Sequence, residues 1–349
     1  MSLVTSASAS SSFPASAKVG VLLVNLGTPS APTPAAIRHY LAEFLSDPRV
    51  VEIPRLIWWP ILHGLVLPFR PRDAARRYAA VWTEAGSPLL VWTERQQQGL
   101  QAHYDQRGLP VTVKMAMRYG SPSIASALTA FRTERVERIL VLPLYPQYSA
   151  TTTATVFDET AGLMQTVRDQ PELRFVRSFP IYAPYLQAMA QRIQGYWQQH
   201  GRPERLVLSF HGVPKRTQEL GDPYYDECAA TAQALKAMLG PDAPEIVMTF
   251  QSRFGKAEWL QPYTEPTVIE LARHGVKRVD VVCPGFVSDC LETLEEINME
   301  VRAAFMQAGG QTFHYIPALN DEAAWIAALA ELSGAHLQGW LPDLAGEPA

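Results

Sequence analysis

Cysteine is scarce in this sequence, with three residues among 349 and no two of them in a C-x-x-C pair. An odd number without such a pair argues against a disulfide framework and against a structural zinc site. Three thiols also cannot supply the four ligands of an iron–sulfur cluster within one chain. The scarcity favours a reducing, cytoplasmic setting.

Net charge and long apolar runs are missing as well. The 30 Lys and Arg residues against 34 Asp and Glu leave a net charge of -4, which gives no signal for binding nucleic acid. The stretch nearest to a membrane span, LIWWPILHGLVLPF at 56–69, contains two prolines and falls short of the roughly 20 apolar residues that a span needs. Residues 1–17 lack Lys and Arg, so we predict a disordered leader and not a targeting peptide.

The apolar run at 56–69 allows two interpretations. It is either a helix buried in the core, or an exposed lip over 53–71 that borders a pocket and contacts a membrane surface. Trp58 and Trp59 are adjacent, and three arginines flank the run, which is typical of segments at a membrane interface.

Short aliphatic runs alternate with helical patterns along the rest of the chain. This alternation predicts an α/β fold, in which parallel sheets are flanked by helices. The predicted strands are 18–26, 111–117, 138–144, 174–179, 205–210, 245–250 and 277–283.

The sequence also repeats itself. LLVNLGTP at 22–29 resembles LVLSFHGVP at 206–214, and MAMRYG at 115–120 resembles TFQSRFG at 249–255. The order of the repeats predicts two similar Rossmann-like domains, one at 18–170 and one at 171–320. A helical tail at 321–349 is expected to pack back onto the first domain. Because parallel sheets bind ligands at the carboxyl ends of their strands, one cleft lined by both halves is expected.

Two groups of side chains follow predicted strands. His211 comes directly before Gly212, and it is either a hydrogen-bonded core histidine or an imidazole aimed at a ligand that accepts a proton or binds a metal. Asp289, Glu292 and Glu296 have a spacing that places them roughly on one helix face. They form either a solvated acidic face or a group that attracts a divalent cation.

Aromatic and basic residues complete the inventory. Tyr145 and Tyr148 in YPQYSATTT would form a flat wall, and Arg118, beside Tyr119, could bind a carboxylate. The motifs of nucleotide-binding loops and of serine hydrolases are missing after the strands. The inventory suits a large, flat, apolar ligand with acidic groups, together with a divalent metal.

Several segments, in order from about 18 to about 320, resemble the ferrochelatases, in particular those of bacteria. They include VLLVNLGTP, FLSDPRV, YPQYSATTT, SFHGVP and CPGFVSDCLETLEEI. The resemblance implies two chelatase-type domains with a porphyrin cleft between them. It implies insertion of Fe²⁺ into protoporphyrin IX with release of two protons, the terminal step of haem biosynthesis.

The resemblance also implies roles for single residues. His211 and Glu292 would be catalytic and would contact the metal, and Asp289 and Glu296 would form a path for protons or metal. The porphyrin would contact Leu26, Trp58, Trp59, Arg118, Tyr119, Tyr145 and Tyr148.

The resemblance further implies a cytoplasmic enzyme, peripheral to the inner face of the plasma membrane through the lip. No cofactor beyond the iron substrate and no iron–sulfur cluster is expected, because no cysteine follows Cys290. Many relatives carry histidine where Cys290 stands, so this thiol is either a soft ligand or a structural group. Two other functions stay open, a chelatase for cobalt or another metal and a different tetrapyrrole, and a non-catalytic carrier.

Overall fold

The computed structural model describes residues 18–255 and 257–341, and within them eight strands alternate with helices. The predicted leader at 1–17 and the last eight residues of the predicted tail lie outside the described residues. The strands are β1 (Lys18–Thr28), β2 (Val111–Gly120), β3 (Val136–Pro143), β4 (Glu172–Phe175), β5 (Arg205–His211), β6 (Glu245–Gln251), β7 (Arg278–Val282) and β8 (Thr312–Tyr315).

The helices are of two kinds. The α-helices are α1 (Pro34–Ser46), α2 (Arg55–Ile61), α3 (Leu67–Val81), α4 (Pro88–Gln106), α5 (Ile124–Thr133), α6 (Thr155–Met164), α7 (Ala183–His200), α8 (Lys215–Glu219), α9 (Tyr224–Leu239), α10 (Thr264–Arg273), α11 (Arg302–Gln307) and α12 (Ala323–His336). The π-helical segments are π1 (Leu62–Val66), π2 (Ala150–Ala154) and π3 (Glu292–Val301).

The strands form two parallel four-stranded sheets, which confirms the predicted α/β fold. Their orders are β2-β1-β3-β4 and β6-β5-β7-β8. β1 and β5 are central and rich in Val and Leu because helices cover both faces of each sheet. The strand predicted at 174–179 instead covers Glu172–Phe175, and β8 was not predicted, since a four-residue strand gives too short a pattern to detect.

The first pair of sequence repeats occupies equivalent places in the two sheets, whereas the Arg-aromatic-Gly residues of the second pair are offset by two positions in the strand register. Asn25 lies beside Met117 across β1 and β2, and Phe210 lies beside Phe250 across β5 and β6. Leu26 and His211 therefore occupy the same position, one residue later, at the carboxyl ends of the two central strands.

One large hydrophobic core spans both halves. It contains Leu23 of β1, Leu208 of β5 and Tyr185 of α7. Trp325 of α12 is fully buried in the same core, and α12 packs against α4 and α7. The two sheets are thus joined by shared apolar packing, so the edge that carries the strand ends is well supported.

The run at 56–69 forms α2, π1 and the first residues of α3, and most of it is exposed. No residue of α2 is buried, and Leu56 is 93% exposed, so the interpretation as a core helix is wrong. Pro60 and Pro71 interrupt the helical hydrogen bonding of the segment. Among the helices of the described part of the chain, none combines the length and hydropathy of a membrane span. We call residues 53–71 the lip.

Gly27 and Gly86 provide a matched test of how closely β1 approaches β2. Both have positive φ, 124° and 118°, but a Cβ on Gly27 would lie 1.9 Å from the Tyr119 carbonyl oxygen, whereas Gly86 has open space around it. We expect Gly86→Ala to lower the free energy of unfolding by about 1–3 kcal/mol through backbone strain. Gly27→Ala should cost roughly 1–3 kcal/mol more because of the overlap. Urea unfolding followed by circular dichroism measures both, and equal losses would contradict this close packing.

Candidate active site

His211 is the last residue of β5, and its imidazole is half-buried at the strand end. Its Nδ1 lies 2.6 Å from the carbonyl oxygen of Gly212. Because a carbonyl oxygen can only accept, Nδ1–H is the donor, and Nε2 of the neutral ring keeps its lone pair. The histidine therefore has an oriented ring with one nitrogen available for a proton or a metal.

The residue after His211 must be small for the chain to turn at the end of β5. A Cβ on Gly212 would lie 2.7 Å from the Gln251 carbonyl oxygen and 3.2 Å from the Trp259 ring. The Gly212 N–H donates to the same carbonyl oxygen at 2.8 Å. Glycine thus lets the chain turn directly against the end of β6.

The acidic stretch forms π3, not the α-helix that was expected. In a π-helix each N–H bonds to the carbonyl five residues back, so each turn carries roughly one residue more than in an α-helix. Residues four apart then come close to lying one above the other. Glu292 and Glu296 therefore project from nearly the same side of π3, and Glu300 follows one turn further on. π-helical segments are rare in proteins, and those that occur are often found at functional sites.

Asp289 precedes π3 and does not share that face. Its side chain is buried, and its carboxylate accepts hydrogen bonds from the Tyr315 hydroxyl at 2.5 Å, Asn320 Nδ2 at 2.7 Å and the Thr293 hydroxyl at 3.0 Å. The Ala318 N–H donates at 3.4 Å. In this structure Asp289 therefore does not line a path to solvent. It fastens the start of π3 to the chain after β8.

Glu296 is held by neutral donors. The Ser252 N–H and Oγ donate to its two carboxylate oxygens at 2.6 and 2.5 Å, and Gln251 Nε2 donates at 3.3 Å. Ser252 has a φ of 64°, a left-handed conformation that costs a non-glycine residue about 1–2 kcal/mol. Burial raises the pKa of Glu296, while the Ser252 hydrogen bonds and nearby His211 oppose the rise.

Gln251 connects these groups, and sequence reasoning missed it. It lies beside His211 in the β5–β6 register, and its Nε2 donates to the main-chain carbonyl of Glu292 at 2.8 Å. Its Oε1 accepts from the Ser209 hydroxyl at 2.8 Å. TFQSRFG belongs to the internal repeat, but Gln251 and Ser252 do not ionise, so the sequence gives no signal that they belong to the site.

The predicted metal contacts do not form a closed site. Within residues 18–255 and 257–341, no three His, Cys, Asp or Glu side chains lie together in a way that could hold a metal ion. Cys290 is buried, and burial together with the adjacent Glu292 carboxylate raises the pKa of its thiol. A thiol is a poor metal ligand until it is deprotonated.

Arg118 and Tyr119 differ from the expectation that they face a ligand. The Arg118 guanidinium lies 2.6 Å from an Asp47 carboxylate oxygen, and Arg118 and Asp47 expose 11% and 6% of their side chains. The Tyr119 hydroxyl donates to the same oxygen at 2.9 Å, and the ring is fully buried. The Arg118 guanidinium is therefore ion-paired with Asp47 and is not free to bind an acidic ligand directly.

The other predicted wall residues lie on two surfaces. Leu26 is half-buried at the end of β1, and Tyr145 has a buried hydroxyl without a hydrogen-bond partner among the described residues. Tyr148 is half-buried and lies 4.4 Å from the guanidinium carbon of Arg177. On the lip, Trp58 donates to the Leu45 carbonyl at 2.6 Å, whereas Trp59 is 61% exposed.

Two features near the lip were not predicted. The Arg70 guanidinium lies over the Phe254 ring at 3.9 Å, so the lip touches the loop that follows β6. Trp259 of the same loop is half-buried, and its Nε1 has no hydrogen-bond partner within the described residues. Arg70 and Phe254 are 184 positions apart in sequence, and a contact of that separation gives no local pattern.

Two cavities adjoin this region, and neither includes His211 or Glu292 in its wall. The larger, about 440 Å³, lies at the carboxyl end of β1, where Thr28, Tyr40 and Ser87 line it. The second, about 290 Å³, lies under the lip between Ser46, Arg55 and Trp58. Neither cavity therefore encloses the residues expected to carry the chemistry, which lie at the carboxyl ends of β5 and β6 and on π3.

Comparison with known proteins gives a consistent result. The ferrochelatase family model matches residues 18–337. A ferrochelatase of Methylibium petroleiphilum is 57% identical over 332 residues, covering 95% of this chain and 92% of that protein. A ferrochelatase of Bordetella pertussis is 58% identical over 323 residues, covering 93% and 89% of the two chains.

Solved structures show the same fold at low identity. SirB of Bacillus subtilis with Fe³⁺ superposes with a TM-score of 0.53 at 15% identity, over 90% of this chain and 93% of that one. The sirohydrochlorin chelatase SirB of B. subtilis subspecies spizizenii, in complex with cobalt, gives 0.50 at 14% identity, over 92% and 97%. These likenesses confirm the two-sheet, chelatase-type architecture.

The buried hydrogen bonds of Asp289 predict a structural role that unfolding can measure. Asp289→Asn places an amide N–H₂ opposite donors, so we expect the free energy of unfolding to fall by at least about 2 kcal/mol. Asp321 is the matched control, since it is 45% exposed and lies 3.4 Å from Arg95. Asp321→Asn should change stability by less than about 1 kcal/mol. Similar urea midpoints for the two variants would rule out this role.

Proposed function

Because this chain belongs to the ferrochelatase family, we propose that His211 and Glu292 carry out the insertion of ferrous iron into protoporphyrin IX. Members of the family are lyases of haem biosynthesis that take iron and a porphyrin as substrates, and this chain shares that function. Family membership selects the iron-inserting enzyme over a cobalt chelatase and over a non-catalytic carrier.

The observation that supports these two residues is their common link to Gln251. His211 lies beside Gln251 in the sheet, and the main-chain carbonyl of Glu292 accepts a hydrogen bond from the Gln251 amide. Two elements that are far apart in sequence are thereby held at one strand edge. That edge is where parallel sheets bind their ligands.

Insertion requires two ring N–H protons to leave as the metal enters. One Fe²⁺ replaces two protons, so the net charge of the porphyrin core does not change. His211 Nε2 is the base in this proposal, because Nδ1–H is already committed to the Gly212 carbonyl. It accepts the two ring protons one at a time and releases the first to solvent along the π3 carboxylates before it accepts the second. The imidazolium that results is stabilised by the nearby Glu296 carboxylate; burial raises the pKa of Glu296, and its interaction with His211 opposes that rise.

The carboxylates of π3 supply the route for the cation. Glu292 stands at the first turn, Glu296 one turn later, and Glu300 is exposed near the end of the segment. Oxygen and imidazole donors are suitable for Fe²⁺, although Zn²⁺ and Co²⁺ would bind the same donors. We assign Glu296 to the path between solvent and Glu292, whereas Glu300 pairs with the Arg77 guanidinium at 3.0 Å.

The porphyrin would lie against an apolar wall with a basic rim. Leu26, Tyr145 and Tyr148 supply the wall on the first half, and Trp58 and Trp59 supply the lip. Tyr119 supports the wall from behind because its ring is fully buried. Arg70 has no ion-pair partner within residues 18–255 and 257–341, so it replaces Arg118 as the group that meets an acidic substituent.

No cofactor beyond the iron substrate is part of this proposal. Cys228, Cys283 and Cys290 are all buried, and burial raises the pKa of each thiol. Thiols in that state are poor ligands for a cluster. Cys290 is therefore assigned a structural role beside Glu292.

The lip carries an exposed apolar surface that fits a membrane interface. Leu56, Trp59, Leu65 and Phe69 are each at least 60% exposed. Arginines adjoin this surface, and basic residues beside an apolar face favour anionic lipid. We propose peripheral contact with the inner face of the plasma membrane.

The chemistry is tested by anaerobic assay of protoporphyrin IX with Fe²⁺, following the loss of free-porphyrin fluorescence. His211→Ala and Glu292→Gln should each lower kcat by about 100-fold or more, because a proton acceptor or a metal-guiding carboxylate is lost. Porphyrin binding, measured separately by fluorescence titration, should stay close to that of the parent. His274→Ala is the control, since His274 is exposed at the end of α10. Full turnover in His211→Ala would refute its role.

The membrane contact has a closely matched pair of variants. Leu65 on the lip is 60% exposed, and Leu220, elsewhere in the second half, is 62% exposed. Leu65→Ser should weaken co-sedimentation with phosphatidylglycerol vesicles by roughly tenfold, because one leucine side chain no longer enters the interface. Leu220→Ser should bind vesicles like the parent. Equal binding by both variants would remove the lip from the contact.

A further inference from the structure

Each half holds a carboxylate at the carboxyl end of its outer strand, β2 or β6, although Asp47 follows α1 and Glu296 lies in π3 after β7. Since Met117 and Phe250 occupy equivalent positions, Arg118 corresponds to Gln251 and Tyr119 corresponds to Ser252. Arg118 and Tyr119 hold Asp47 in the first half, with donor distances of 2.6 and 2.9 Å. Gln251 and Ser252 hold Glu296 in the second half.

The difference between the two clamps is electric charge. The guanidinium of Arg118 neutralises Asp47. Gln251 and Ser252 donate hydrogen bonds but carry no charge, and within the described residues Glu296 has no Lys or Arg partner at ion-pair distance. Glu296 is therefore fixed in place by groups that carry no positive charge to compete with an incoming cation.

We infer that Gln251 and Ser252 are positioning residues for metal insertion, which fix Glu296 and the first turn of π3 beside His211 through neutral hydrogen bonds. This inference rests on the proposed role of Glu296 in the metal path. It adds two residues that touch neither proton nor metal but determine where the carboxylates stand.

The orientation of both side chains supports this role. Gln251 Oε1 accepts from Ser209, so its Nε2 must face π3, where it meets both Glu292 and Glu296. Ser252 brings its N–H and its hydroxyl to the same carboxylate from a left-handed conformation. A non-glycine residue remains in that conformation only where the surrounding contacts hold it.

The test compares KM for Fe²⁺ with KM for porphyrin in the full-length enzyme under anaerobic conditions. Gln251→Met keeps the side-chain length and removes the hydrogen bonds. Ser252→Gly keeps the N–H and tolerates the positive φ but removes the hydroxyl. Both variants should raise KM for Fe²⁺ about tenfold. KM for porphyrin should remain near the parent value, and an equal rise in both constants would overturn the inference.

Two further variants sharpen the comparison. Gln101 is a matched control, because its side chain accepts from the Val113 N–H and donates to the Val111 carbonyl, in α4 and away from π3. Gln101→Met should lower stability without separating the two KM values. Gln251→Arg reproduces the charged clamp of the first half and should raise KM for Fe²⁺ above that of Gln251→Met. A lower or equal value would overturn the charge argument.

Glu296→Gln separates this inference from the proposal on which it rests. If Glu296→Gln leaves KM for Fe²⁺ unchanged, the metal path itself is wrong. If Glu296→Gln raises that constant while Gln251→Met and Ser252→Gly do not, the path stands and the positioning role fails. Should Gln251→Met not fold, Ser252→Gly decides the matter alone, because glycine suits the backbone at that position.

Discussion

The parallel register between β5 and β6 places His211 beside Gln251, and the arrangement of the site follows from that pairing. Parallel strands end at the same edge, so two side chains meet there although residues 212–244, with α8 and α9, connect their strands. Gly212 permits the pairing to continue into the turn, since a Cβ would strike the Gln251 carbonyl oxygen. π3 then docks on this edge through the Gln251 amide, which brings the carboxylates toward the imidazole.

The two halves of the internal repeat carry different residues at the ends of their central strands. Leu26 occupies the position in the first half that His211 occupies in the second. Arg118 neutralises Asp47, whereas the groups that hold Glu296 are uncharged. The first half therefore presents an apolar wall, and the second presents the proton and cation chemistry.

The burial of Glu296 has a cost in stability. Because folding raises the pKa of Glu296, the folded protein loses stability relative to the unfolded chain as the pH rises from the ordinary glutamate range through that raised pKa.

Burial patterns account for what could be predicted. β1 and β5 are covered on both faces, so continuous runs of Val and Leu reveal them, and the strand end at His211 follows. The π-helical form of π3 was not predictable, because its acids and apolar residues also fit an α-helical period. The pairing of Arg118 with Asp47 and the burial of Asp289 depend on residues 71 and 31 positions away. Contacts of that separation leave no trace in local periodicity, and this also hid the roles of Gln251 and Ser252.

The strength of contacts falls from the shared core to the lip. The sheets share a close-packed apolar core, which includes the fully buried Trp325. Where the lip meets the loop after β6, Arg70 lies over the Phe254 ring, a cation–π contact worth about 0.5–1 kcal/mol at an exposed site. A contact of that size breaks at thermal energies and can be exchanged for a stronger ion pair with a carboxylate. A rigid base with a loosely held rim suits an enzyme that must orient its metal-handling groups closely while a broad, flat substrate enters and leaves.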